Sequence, residues 1–283
     1  MSAPYCLAIA DSAGHPVGGK AEGLRRLLDL GLPSSPAFAL VGANTSAGLT
    51  DTAFLEVLRH YAALGGGAVA VRSSALGEDS EDASFAGQYE TVLNVVGAEA
   101  LRAAIDQCLT SARNARSAAY REARGETADV AMTVVIQRMV DAFAAGVLFT
   151  VDPVSGRRDR LVIDAVRGLG EALVSGEVTP DHVELDLANA IVERDQAGAE
   201  PVLQDDVLKQ LAKHARDAAW AVGAPLDLEW AVDQDGQVVF LQARPITHLA
   251  ADPRALDLIQ APTDYYTKCN IGEMMPGAIT PLT

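Results

Sequence analysis

The stretch LDLEWAVDQDGQVVFLQARPIT, residues 226–247, constrains this chain more than any other. Two apolar arms flank Asp235-Gly236, and an Asp-Gly pair between such arms is among the strongest short-range hairpin signals. A two-residue turn there sets Glu229 opposite Gln242 and Asp227 opposite Arg244. Residues two apart on a strand share a face. The four polar groups therefore fall on one side of the hairpin as two cross-strand pairs. The other side, with Leu228, Trp230, Val239 and Leu241, is the expected core face. Taken alone, the polar side has two readings. One is a solvated sheet face with an ion pair worth under ~1 kcal/mol. The other is a platform for a metal ion and a phosphate. A carboxylate and an amide oxygen both suit Mg²⁺, and a neighbouring arginine can hold phosphate oxygens that share the metal.

The rest of the chain bounds which of these is worth pursuing. A length of 283 residues is enough for one large domain or two modest ones. Half the residues are hydrophobic (49%), a globular composition. A net charge of −16 argues against nucleic-acid binding and against docking on anionic lipid. The three cysteines, Cys6, Cys108 and Cys269, are few and lack metal-ligand spacing, which predicts a reduced, cytoplasmic setting. The N-terminus carries neither a basic stretch nor a long apolar run, so no signal peptide is expected. No segment reaches the roughly 18 apolar residues of a membrane span.

Helical spacing is read over residues 18–30, 51–64, 98–124 and 205–222, and strands over 68–72, 91–96, 132–140, 144–150, 160–166 and 182–187. A further short strand follows Pro36. This mixture predicts an α+β fold with antiparallel sheet in the second half. GETAD, residues 125–129, marks the best subdomain boundary. The expected division is 1–128, 129–248 and a tail, 249–283.

Two further motifs carry chemistry. In GGKAEGL, residues 18–24, Lys20 opens a helix whose free N–H groups and dipole favour an anion. The spacing is not that of a P-loop, and a surface lysine after a turn also fits. In VAVRSSALGEDSEDASFAGQYETVLNV, Arg72 ends an apolar strand, and a polar loop returns through FAGQYET. Backbone N–H groups near Gly87 could cover phosphates, and Phe85 could close the site against water. An acidic surface loop has the same composition.

Together with VVIQRMVDAFAAGVLFTVDP and GLGEALVSGEVTPDHVELD, these blocks occur in order along residues 15–247. They resemble the N-terminal ATP-binding domain of the dikinase family, which includes phosphoenolpyruvate synthase, pyruvate phosphate dikinase and rifampin phosphotransferase. The resemblance implies an ATP-grasp fold with ATP held between two α+β subdomains. It implies that Lys20 and Arg72 meet the ATP phosphates, and that Gly87, Gln88 and Thr91 belong to the phosphate-covering loop and the strand after it. Gln137, Arg138, Met139 and Val140 match the hinge that holds adenine through backbone groups. Glu171 matches a nucleotide-site residue near the ribose. Glu229 and Gln242 match the Mg²⁺ ligands, Arg244 the arginine beside the transferred phosphoryl group, and Asp227 a nearby acid.

The family reaction spends both outer phosphates of ATP, releases AMP and phosphate, and passes the β-phosphoryl group to an acceptor through a phosphohistidine on a separate swivelling domain. The phosphohistidine lies in a Gly/Thr-rich segment with a Ser-His-Ala-like core, and no such segment occurs here. None of the five histidines, His15, His60, His182, His214 and His248, has that context. The expected partners are therefore a phosphohistidine domain and an acceptor-binding domain, in the same full-length protein or in a partner subunit. The ending PGAITPLT fits an excised domain. Two other classes stay open: a self-contained ATP-grasp ligase forming an acyl phosphate and ADP, and a non-catalytic nucleotide-binding module.

Overall fold

The computed structural model describes residues 4–44, 48–74, 90–123, 131–174, 176–247 and 249. They form two antiparallel sheets. The first takes β1 (Tyr5–Ala8), β2 (Ala37–Asn44), β3 (Val69–Ser74), β4 (Thr91–Val95) and β5 (Ala131–Arg138), in the order β1-β2-β5-β3-β4. The second takes β6 (Ala142–Phe149), β7 (Leu161–Arg167), β8 (Asp181–Leu185), β9 (Ile191–Asp195), β10 (Leu226–Asp233) and β11 (Val238–Pro245), in the order β11-β10-β6-β7-β8-β9. The helices are α1 (Gly18–Asp29), α2 (Asp51–Ala63), α3 (Ala98–Ala123), α4 (Glu171–Val174) and α5 (Asp205–Val222).

The helices form where their sequence allows. Thr50 caps α2 through its side chain, which accepts the Ala53 N–H at 3.3 Å. The end of α1 is closed by Leu32 N–H on the Leu27 carbonyl at 3.0 Å, with Gly31 at φ +66° making the reversal. Gly223, at φ +74°, does the same for α5.

The first sheet is buried on both faces. Phe38, Leu40, Val134 and Ile136 point to α2 and α3, whereas Ala39, Val41 and Val135 point to the side of α1. This places β5 as the central strand of the first sheet. The chain passes to the second sheet only after Arg138, beyond the 128/129 division expected from the turn cluster. The turn cluster itself, 125–129, lies outside the described residues, as does the tail beyond 249. β5 shows why a turn signal misleads here: pairing with β2 and β3 outweighs nearness in sequence. β1, α4 and β9 were not foreseen, being short, and β9 is largely exposed.

One face of the second sheet packs on α5, with Leu148, Leu161, Ile163, Leu228 and Trp230 against Leu208, Leu211 and Ala215. The alternate residues Ala145 and Val147 of β6 and Glu229 and Ala231 of β10 line the space between the two sheets. α1 joins the two: Leu24 and Leu27 share a core with Phe240 and Ala243, and Arg26 Nη1 donates to the Ala243 carbonyl at 2.8 Å. No described helix is long and apolar enough to cross a membrane.

The hairpin differs from expectation in its turn. Asp233 N–H bonds to the Gln237 carbonyl at 3.0 Å and Gly236 N–H to the Asp233 carbonyl at 3.0 Å, so the loop is Gln234 to Gly236, with Gly236 at φ +79°. That shifts the register by one residue, and Trp230 meets Phe240. A β-bulge at Leu241 then restores it, so Glu229 still faces Gln242 and Asp227 still faces Arg244. The core face of β11 is accordingly Val238 and Phe240, not Val239 and Leu241.

Candidate functional site

A cavity of about 540 Å³ opens between the two sheets, within the range of ligand sites. Ala70 and Arg72 of β3, Thr91 of β4, Gln137 to Val140 at the end of β5, Glu171 of α4 and Glu229 of β10 all reach it. Small residues make the room: Ala142, Ala145, Gly146 and Ala231 line the second sheet's side. Gly146 is required by close approach, since a Cβ there would lie 1.9 Å from the Asp164 carbonyl oxygen and 2.7 Å from the Trp230 ring.

A polar chain crosses from one sheet to the other at the cavity floor. Gln137, almost fully buried on β5, donates through Nε2 to the Leu241 carbonyl at 3.3 Å. Its Oε1 accepts from Arg72 Nη1 at 3.5 Å. Arg72 Nη2 then donates to Glu229 Oε2 at 2.8 Å, and Arg244 Nη2 stands 4.0 Å from Glu229 Oε1. Burial alone would push the Glu229 carboxyl up. Arg72, Arg244 and Lys20 outweigh that and hold it below the usual carboxylate range. Three cations thus converge on one acid, in a chain whose overall charge is strongly negative.

Gln242 is buried behind this floor. Its Nε2 donates to the Gly19 carbonyl at 3.5 Å, and Gly23 of α1 has no side chain because a Cβ there would come within 2.5 Å of that nitrogen. Gln242 Oε1 has no hydrogen-bond partner among the described residues. Lys20 sits in the first turn of α1, largely buried, and α1 is pinned there by Ser74, whose hydroxyl donates to the Val17 carbonyl at 2.9 Å and accepts the Ala21 N–H at 3.3 Å. At the other end, Arg138 and Met139 N–H groups are already engaged by the Pro36 and Ala68 carbonyls, both at 2.9 Å. Those two N–H groups are therefore not open to a ligand at this end of the cavity.

With this geometry in view, the family model described as the pyruvate phosphate dikinase AMP/ATP-binding domain matches residues 45–200 and 186–257. The chain belongs to that family. Curated relatives of this dikinase-family domain include the prodigiosin synthesizing transferase PigC of Serratia marcescens, 36% identical over 95% of this chain and 36% of the relative. Others are a probable phosphoenolpyruvate synthase of Methanocaldococcus jannaschii, 40% identical over 64% of this chain and 17% of the relative, and a rifampicin phosphotransferase of Streptomyces sp., 40% identical over 76% and 27%. The chain thus spans about a third of these relatives or less. Among solved structures, it is similar to PH1788 from Pyrococcus horikoshii Ot3 (TM-score 0.48, 16% identity, 83% of this chain and 92% of that one) and to D-alanine-D-alanine ligase from Coxiella burnetii (0.37, 13%, 78% and 45%). The chain is thus a member of an AMP/ATP-binding domain family, and its cavity lies between its two sheets.

Of the residues expected in the dikinase-family site, Arg72, Thr91, Gln137 to Val140, Glu171 and Glu229 line the cavity. Asp227, Gln242 and Arg244 stand beside Glu229 on the hairpin, and Lys20 lies close enough to lower its pKa. Gly87 and Gln88 lie outside the described residues, as do Phe85 and His248. The sequence reading missed Glu90, which lines the cavity while its carbonyl accepts the Ser73 N–H at 3.1 Å and its carboxylate accepts from Gln107 at 2.7 Å. Its place next to Thr91 was the available signal. It also missed the small residues of β6, because their role depends on what they leave empty. The other histidines are occupied locally: His15 with Tyr5, His60 against Phe38 and His214 against Phe240. His182 lies inside β8, with Nδ1 2.7 Å from Asp164.

Proposed function

We propose that this chain is the ATP-binding part of a dikinase-type phosphotransferase or synthetase that cleaves ATP to AMP and phosphate. The β-phosphoryl group passes through a phosphohistidine on another domain or subunit to an acceptor. The observation that carries this reading is the Arg72–Glu229 pair at 2.8 Å, which brings the first sheet's cation onto the second sheet's acid at the cavity floor. Adenine lies at the Gln137 to Val140 hinge and the ribose near Glu171. The polyphosphate runs over the hairpin toward Lys20, Arg72 and Arg244, with Asp227 beside Arg244. Preorganised cations stabilise charge as it builds on the transferred group, and they need no reorganisation at the moment of reaction.

Glu229 and Gln242 are the residues that would hold Mg²⁺. The donors are hard oxygens, and a buried Gln242 Oε1 without a partner among the described residues suits a cation ligand. When bound, the ion neutralises phosphate charge and orients the β- and γ-phosphates. The protein's own part is to hold the chain from Leu241 through Gln137 and Arg72 to Glu229 in place.

The test is the nucleotide product. The full-length protein, given ATP labelled in the β-phosphate, should release AMP and carry the label as an acid-labile, base-stable adduct on a histidine outside this chain. The isolated chain should bind ATP saturably. Steady ADP formation by the isolated chain with an acid and an amine would overturn this reading in favour of a self-contained ligase.

A further inference from the structure

On the opposite face of the first sheet from the nucleotide cavity, three metal-binding chemistries converge. Cys6 pairs with Leu40, which belongs to the core under α2 and α3, whereas Arg72 and Gln137 are on the cavity side. From α2, Glu56 and His60 lie one turn apart, four residues, and so share a helix face. The Cys6 sulfur, a Glu56 carboxylate oxygen and a His60 ring nitrogen all lie within 4.8 Å of one another.

Their surroundings fix them in that arrangement. Glu56 Oε1 accepts the Cys6 backbone N–H at 3.1 Å, which orients the carboxylate and leaves its second oxygen to other use. The His60 ring packs on Phe38 with centroids 5.1 Å apart, which fixes the imidazole plane. Burial, with a smaller push from Glu56, raises the Cys6 thiol to about 12.

We propose that Cys6, Glu56 and His60 form a zinc site that ties the edge strand β1 to α2. Thiolate, imidazole and carboxylate are the three donor types that Zn²⁺ accepts, with a fourth, tetrahedral position left to water. A sulfur ligand disfavours Mg²⁺, so the two cation sites select different ions. Zn–S bond formation releases the thiol proton to solvent, and no electron is transferred. β1 has only four residues and, among the described residues, pairs on one side alone, so a metal link gives it a second anchor. The family reading is not needed for this site, and nucleotide chemistry does not use its residues.

The chain is stripped with a chelator and titrated with Zn²⁺ alone, without nucleotide, and bound metal is measured after dialysis. One zinc per chain is expected, with Cys6→Ser and Glu56→Gln each weakening it by about a hundredfold or more, beyond what outer-shell changes cost. Glu56→Gln still accepts the Cys6 N–H, so it separates metal binding from the strand contact. Co²⁺ should give a thiolate charge-transfer absorption in the wild type that Cys6→Ser abolishes, while ATP affinity stays unchanged in both variants. A wild type that retains no zinc and shows no such absorption overturns the proposal, and so does a Cys6→Ser variant that binds Zn²⁺ as tightly.

Discussion

At the scale of single residues, Arg72 is the hub. It joins Gln137 and Glu229, and its Nε is buried without a partner among the described residues. Arg72→Ala removes charge-assisted contacts of about 1.5–3 kcal/mol, so ATP affinity should fall roughly ten- to a hundredfold by calorimetry. An unchanged Kd would remove Arg72 from the site. Glu229 supplies a pH signature. Its folded pKa lies below the unfolded one, so the stability it gives is present above the unfolded value. That stability is lost as pH falls through the folded value. The gap in melting temperature between wild type and Glu229→Gln should therefore be constant from neutral pH down to the ordinary glutamate range, then shrink on further acidification. A gap that persists through acid would mean that the ion pair with Arg72 is not what stabilises Glu229.

At the scale of elements, glycines show how helix and strand shape the site. A Cβ at Gly23 would press on Gln242 Nε2 and on the Ala243 carbonyl, at 2.5 and 2.8 Å. Gly23→Ala should thus move Gln242, and it should weaken ATP binding more in the presence of Mg²⁺ than in its absence. Equal losses with and without the cation would count against Gln242 as a ligand. Gly146→Ala meets backbone rather than a movable side chain, so strain of a few kcal/mol is expected, read as a lower melting temperature even without nucleotide. This is also the scale at which legibility varies. The hairpin's polar pairs were readable because alternation and an Asp-Gly turn are local signals. They came out right although the turn is a residue longer, because the Leu241 bulge compensates. No local pattern announces a bulge, nor the carbonyl it presents to Gln137. The place of β5 in the first sheet was hidden for the related reason that sheet membership is decided by non-local pairing. Arg72 and Glu229 were each singled out from their own motifs, but their contact across 157 positions exists only in the folded chain.

At the scale of the whole molecule, the two sheets do not divide into independent units, because α1 comes from the first half of the sequence and packs in the second sheet's core. Leu27 is fully buried there, in one cluster with Leu148, Trp230 and Phe240. Truncating it should destabilise by about 2–5 kcal/mol, the usual cost of a buried leucine cavity. The two tryptophans make the consequence measurable. Trp220 is 89% exposed on α5 and Trp230 fully buried on β10, so a Trp220→Phe background leaves a fluorescence signal that reports the second sheet alone. In that background, Leu27→Ala should lower the Trp230 transition and the far-ultraviolet circular dichroism transition together and by the same amount, because both sheets lose their shared helix at once. If the Trp230 transition stays put while the circular dichroism transition moves or splits, the halves unfold separately. The cavity would then lie between two bodies joined only by ligand and linker. If the transitions move together, the floor from Gln137 through Arg72 to Glu229 is built on a single cooperative core. Saturating ATP should then raise both transitions in step, since nucleotide bound between the sheets stabilises only the state in which both are folded.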